Sequence, residues 1–71
     1  MNGFIIETWH EDAKARGGQR ATRWIGIATS ARDLIALLPG HSPSVVDRGP
    51  GVLARARLLG IQDGAFEEFR G

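Results

Sequence analysis

The sequence predicts an α+β fold in which an antiparallel β-hairpin is packed on one face by two helices. Two runs rich in β-branched and aromatic residues, Phe4–Trp9 and Arg20–Ala28, are separated by a charged segment with a turn signal at Gly17-Gly18. Two later stretches repeat apolar residues at helical spacing and have marked ends. A chain of 71 residues is long enough for one small domain, residues 1–71.

The hairpin is predicted to turn near Ala15–Gly18, which places Trp9 opposite Trp24 and Ile6 opposite Ile27. Side chains alternate between the two faces of a sheet. In this register one face carries a set rich in branched aliphatic residues, which we assign to the core: Phe4, Ile6, Thr8, Ile25 and Ile27. The two tryptophans then form a pair on the other face, away from the helices.

The first helix is predicted over Ala31–Leu38, and both of its ends are marked. Ser30 is the expected N-cap, and Asp33 adds negative charge near the positive end of the helix dipole. The helix is expected to stop before Pro39. Its apolar residues share one face, which must lie against the sheet: Ala31, Leu34, Ile35 and Leu38.

The second helix is predicted over Val52–Leu59, with Pro50 just before it and a Schellman stop at Gly60-Ile61. Between the helices, Ser44–Asp47 is either a third strand or an extended segment over the core. At the end of the chain, Ala65–Arg70 is predicted as a short terminal helix because its two phenylalanines are three residues apart. A strand is the alternative for that segment.

The composition predicts a cytoplasmic protein of bacterial or phage origin. The chain has no cysteine, so disulfides, thiolate metal sites and a cysteine nucleophile are excluded. Basic residues are arginine except for Lys14, a bias typical of a GC-rich genome. No segment approaches the roughly 20 apolar residues that a membrane span needs, and we expect no membrane partner. The net charge of +1 is far from the excess typical of proteins that bind a phosphate backbone.

No motif in the chain predicts catalysis. Neither a nucleophile elbow nor a phosphate loop occurs, and a small core leaves little room for a water-excluding pocket, so we expect no enzyme, cofactor or metal. One segment is a candidate anion site because a helix N-terminus and an arginine follow one another in it. Its residues are Arg48, Gly49 and Gly51, and Pro50 removes one of the N–H donors.

The hairpin carries the candidate residues for partner binding. Tryptophan and arginine are the residues most enriched at binding hot spots. The candidate set is Trp9, Trp24, Arg16, Arg20 and Arg23. We therefore expect a non-catalytic module that recognises another protein, with a self-associated dimer as one form. Single-stranded nucleic acid is an alternative partner, since basic and aromatic residues are interleaved. A further alternative is that both tryptophans belong to the core.

In length and in its hairpin-then-helix order, the chain resembles small inhibitor proteins encoded by phages and mobile elements, such as anti-CRISPR proteins. The resemblance implies an inhibitor of another macromolecule as an alternative function. It covers only gross organisation, because these inhibitors share no common motif, and it assigns no role to any residue of this chain.

Overall fold

A computed structural model describes residues 1–70, and Gly71 lies outside the described residues. The fold is α+β, with a four-stranded antiparallel sheet and two helices. The sheet order is β3-β1-β2-β4, so the predicted hairpin forms its centre and the two later strands form its edges. The elements are β1 (Asn2–Glu11), a 3₁₀ turn (Arg16–Gly18), β2 (Gln19–Ala28), α1 (Ala31–Ile35), β3 (His41–Arg48), α2 (Pro50–Leu58) and β4 (Phe66–Glu68).

The two helices pack on opposite faces of the sheet, so the prediction that both cover one face is wrong. Phe4, Ile5 and Ile6 follow one another in β1 and are all buried. Because neighbouring side chains in a strand point to opposite faces, a buried consecutive run needs a cover on each side. One buried cluster contains Ile5, Ile25, Ile27, Val52, Ala56 and Ile61. The other contains Phe4, Ile6, Ala28 and Leu34.

The register of the hairpin also differs from the predicted one. Trp9 pairs with Ala21, and Trp24 pairs with Ile6. The partner of Trp9 is therefore three residues away from the predicted partner. A shift by an odd number of residues moves all side chains of one strand to the other face relative to its neighbour. The predicted core face and the predicted tryptophan pair are both wrong for this reason.

The turn explains the shift, because it takes up more of the chain than the predicted Ala15–Gly18. The backbone N–H of Asp12 donates to the carbonyl oxygen of Gly18 at 2.9 Å. The Asp12 carboxylate accepts from the backbone N–H of Lys14 at 3.0 Å, as in an Asx turn. Gly17 and Gly18 have φ angles of 79° and 75°, which residues with a Cβ rarely adopt. The last strand pair is consequently Glu11 with Gln19.

The predicted start of α1 is confirmed. The Ser30 hydroxyl accepts a hydrogen bond from the backbone N–H of Asp33 at 3.3 Å. The α-helix ends at Ile35, earlier than predicted. The chain continues as a tight turn in which the N–H of Leu38 donates to the carbonyl oxygen of Ile35 at 3.2 Å.

The predicted stop of α2 is confirmed as well. The N–H of Ile61 donates to the carbonyl oxygen of Ala56 at 3.1 Å, and the N–H of Gly60 donates to that of Arg57 at 3.0 Å. These two bonds define a Schellman motif, and the φ of Gly60 is 81°. Ile61 is buried in the α2 cluster, which fixes where the chain leaves the helix. Within residues 1–70, neither helix has the length and apolar content needed to cross a membrane.

The C-terminal segment is a strand, so the predicted terminal helix is wrong. Phe66–Glu68 pairs with β2, and the N–H of Phe69 donates to the carbonyl oxygen of Arg23 at 2.8 Å. Phe66 packs with the α1 cluster and Phe69 with the α2 cluster. Residues three apart on an extended segment point to opposite faces of the sheet. The spacing of Phe66 and Phe69, which suggests a helix, therefore places one ring in each buried cluster.

Candidate interaction surface

The hairpin register separates the two tryptophans onto opposite faces of the sheet. Trp9 lies on the face that α2 packs against, because it alternates in phase with Ile5. Trp24 pairs with Ile6 and therefore lies on the face of α1. The tryptophans thus do not form one surface, and each has its own surroundings.

Trp24 is held in place by its neighbours. Its indole N–H donates to the Thr8 hydroxyl at 2.9 Å, and Thr8 is only 2% exposed. His10 Nε2 lies 3.3 Å from the same hydroxyl and is its second hydrogen-bond partner. The Trp24 ring meets the Phe66 ring edge-on at 5.7 Å between centroids. Trp24 is consequently a half-buried part of the fold.

Trp9 is in a different situation, with 37% of its surface exposed. The cluster under α2 reaches only Ile5 in β1 and Ile25 in β2 towards the hairpin turn. Beyond these two residues the buried cluster ends, and Trp9 on the same face of the hairpin is exposed. We call this area of the two central strands the Trp9 face; its residues are Glu7, Trp9, Glu11, Gln19, Ala21 and Arg23.

Charged and amide side chains flank Trp9 within this face. Glu7 and Glu11 lie two residues before and after Trp9 on the same strand, so all three point to the same side. The Arg23 Nε lies 3.2 Å from the Glu7 carboxylate. The Gln19 amide nitrogen donates to the Glu11 carboxylate at 3.4 Å. Glu11 is absent from the predicted partner-binding set, and its spacing of two residues from Trp9 is the signal that could have identified it.

The three candidate arginines are distributed over different parts of the hairpin. Arg23 belongs to the Trp9 face, where it pairs with Glu7. Arg20 pairs with His10 across the strands and so lies on the opposite face, with its Nε 3.7 Å from the Asp12 carboxylate. Arg16 is exposed in the 3₁₀ turn. The predicted partner-binding set is therefore divided: Trp9 and Arg23 lie on the Trp9 face, and Trp24 and Arg20 lie on the opposite face.

The candidate anion site has fewer free donors than the sequence suggests. The N–H of Gly49 already donates to a β1 carbonyl oxygen at 3.2 Å. Arg48 and Gly51 line a cavity of about 260 Å³ beside the start of α2. Asp47 and Arg55 line the same cavity, so two guanidinium groups and one carboxylate surround it. The anion site at Arg48, Gly49 and Gly51 stays a prediction.

The histidines do not assemble a metal site. His10 is engaged with Thr8, and His41 Nδ1 lies 3.0 Å from the Ser42 hydroxyl next to it. Within residues 1–70, no group of three or more histidine, aspartate or glutamate side chains is close enough to hold one ion.

Both edges of the sheet are protected against pairing with another strand. All eight residues of β3 are exposed, but its pairing with β1 is irregular at two places. Pro43 lies in this strand, and Ser42 has a φ of 53°. β4 has only three residues. Bulges, proline and short length are the features by which sheets avoid edge-to-edge association.

Comparisons with protein-family models, with curated proteins and with solved structures find no match to this chain.

Proposed function

We propose that this protein is a small non-catalytic binding module that recognises another protein through the Trp9 face. The observation that carries the proposal is the exposure of Trp9 in the middle of the Trp9 face. Trp24 contributes to packing through its hydrogen bond to Thr8, whereas Trp9 leaves more than a third of its surface open. An exposed tryptophan on a rigid surface is a typical anchor of protein interfaces.

The shape of the sheet supports a partner that docks on a face. Irregular pairing and Pro43 make the β3 edge a poor template for an added strand, and β4 is too short to offer one. The Trp9 face lies on two central strands, which hold its side chains in fixed positions. Tryptophan has few rotatable bonds, so ordering it on binding costs little conformational entropy.

The charges of the Trp9 face favour protein over nucleic acid as the partner. Glu7 and Glu11 flank the indole, and carboxylates repel a phosphate backbone. The basic side chains at the hairpin turn, Lys14 and Arg16, lie at the end of the hairpin beyond this face. Nucleic acid bound at the turn would not use Trp9, so substitution of Trp9 separates the two functions.

Trp9→Ala is expected to weaken the complex by about 2 kcal/mol or more, roughly 30-fold in Kd, as loss of a hot-spot tryptophan does. The partner is first isolated on immobilised wild-type protein, and affinities are then measured with purified components. Leu58→Ala is the matched control, because Leu58 is 89% exposed and lies on α2, outside the residues of the Trp9 face. Leu58→Ala should keep the wild-type denaturation midpoint, and Trp9→Ala, which also removes covered apolar surface, should lower it while the domain stays folded under the conditions of the binding assay.

An unchanged Kd for Trp9→Ala would overturn the proposal, and so would an equal loss for Leu58→Ala. A concentration series of the wild-type chain alone, followed by analytical ultracentrifugation, shows whether the partner is a second copy. If the chain self-associates through the Trp9 face, Trp9→Ala shifts the series towards monomer and Leu58→Ala does not.

A further inference from the structure

We infer that the Trp9 face takes an extended peptide segment that carries arginine or lysine. This inference rests on the proposed function and adds the chemistry of the partner. Two features of the face carry it: an exposed aromatic ring and a carboxylate beside it that no cation neutralises within the part of the chain described.

The carboxylates on the Trp9 face outnumber its cations. Glu7 and Glu11 supply two negative charges, and Arg23 supplies one positive charge. Arg23 is used by Glu7, at 3.2 Å. The Glu11 carboxylate meets the neutral amide of Gln19, at 3.4 Å, and Glu11 is exposed. The excess of negative charge is therefore local to this face, since the chain as a whole has a net charge of +1.

The Trp9 indole and the Glu11 carboxylate can both contact one basic side chain. The face of an indole ring attracts a cation, and an arginine or lysine stem can lie along an aromatic surface while its charged head reaches further. Side chains two residues apart on a strand are about 7 Å apart, which such a side chain can span. A guanidinium or ammonium group over Trp9 can thus reach the Glu11 carboxylate, which forms a charge-assisted hydrogen bond with it.

The length of the face favours an extended segment over a small molecule. Two cavities within residues 1–70 lie elsewhere, one around Gly60–Asp63 and one beside Asp47 and Arg48. From Glu7 to Glu11 the face runs for about 13 Å along β1, which is the length of four to five residues of extended chain. A peptide lying along this face can place one basic side chain on Trp9 and keep its neighbours on the sheet.

The test is a titration of isotope-labelled full-length protein with short capped peptides of glycine and one variable residue type. The variable residue is arginine, lysine, glutamate or citrulline, which has the size of arginine without its charge. Each tryptophan gives a separate indole N–H signal in the NMR spectrum. We expect the arginine and lysine peptides to shift the Trp9 signal in low salt and to leave the Trp24 signal unchanged.

Glu11→Gln is expected to weaken binding of the arginine peptide by about three-fold or more, because it removes the charge and keeps the shape. Glu67→Gln is the matched control. Glu67 is an exposed carboxylate in the edge strand β4. It pairs with Ile25 of β2, so it lies on the same face of the sheet but remote from Trp9. Its substitution should leave the affinity unchanged.

Equal binding of the citrulline and arginine peptides would overturn the inference, as would stronger binding of the glutamate peptide, absence of binding by both basic peptides, or equal effects of Glu11→Gln and Glu67→Gln. These results are distinct from failure of the proposed function. If Trp9→Ala abolishes binding of the isolated partner and Glu11→Gln does not weaken it, the Trp9 face binds protein without needing a basic segment. If neither substitution has an effect, the proposed function fails as well.

Discussion

Leu34→Ala is expected to lower the free energy of unfolding by about 2–5 kcal/mol, the usual cost of truncating a buried leucine. Leu34 is the one fully buried residue that α1 contributes, and it packs with Phe4, Ile6 and Ala28. A helix of five residues gains little stability from its own hydrogen bonds, so this contact holds it on the sheet. In a small domain such a loss removes a large part of the total stability.

Urea denaturation followed by circular dichroism measures the effect. Leu37→Ala is the matched control, because Leu37 follows α1 and is 59% exposed. Its substitution should change stability by no more than about 0.5 kcal/mol. If Leu34→Ala had the stability of Leu37→Ala, α1 would not be packed on the sheet as described.

Gly3→Ala is expected to cost about 3 kcal/mol or more, because α2 lies directly on the backbone of β1 at this position. A Cβ on Gly3 would meet backbone atoms of Val52 and Leu53, and would lie 2.7 Å from the Val52 carbonyl carbon. A backbone cannot rotate away as a side chain does. The helix would therefore have to move off the sheet and loosen its contacts with Ile5 and Ile27.

Gly51→Ala supplies the control for this prediction within α2 itself. Apart from its chain neighbours and the backbone of its own helix, no atom lies within 4 Å of a Cβ placed on Gly51. Alanine in a helix is favoured over glycine, so this variant should be as stable as the wild type or more stable by up to about 1 kcal/mol. Thermal denaturation of both variants measures these changes in stability. Equal stability of Gly3→Ala and wild type would mean that α2 does not approach β1 so closely.

The features that could be predicted from the sequence depend on a few neighbouring residues. The Ser30 cap and the Gly60-Ile61 stop are both confirmed, because each motif is completed within one turn of its helix. The existence of the hairpin and the α+β class follow in the same way from local periodicity.

The features that could not be predicted depend on contacts between residues that are far apart in the sequence. The register rests on how many residues the Asp12–Gly18 turn takes up, and one odd shift reverses a face. The helices lie on opposite faces of the sheet because β1 is buried on both of its faces. The consecutive apolar residues Phe4, Ile5 and Ile6 are the signal for it, since a strand with one open face alternates.

The candidate site was predictable only in part for the same reason. Trp9 and Arg23 lie on one surface, but Trp24 and Arg20 lie on the other side of the sheet. Because exposure of a tryptophan depends on which face the helices cover, the sequence alone could not separate Trp9 from Trp24. Glu11 gains its place beside Trp9 from the same alternation.

The most direct test of the claim that Trp9, and not Trp24, is available to a partner uses two single-tryptophan variants. Trp24→Phe leaves Trp9 as the only indole, and Trp9→Phe leaves Trp24, with the fold of each variant checked by circular dichroism. Fluorescence is then quenched with acrylamide in samples shown to be monomeric. We expect the Trp9 emission to lie further to the red and to be quenched more strongly, since Trp24 is half-buried against Phe66 and Thr8. Equal quenching of the two variants, or stronger quenching of Trp24, would contradict the placement of Trp9 on an open face.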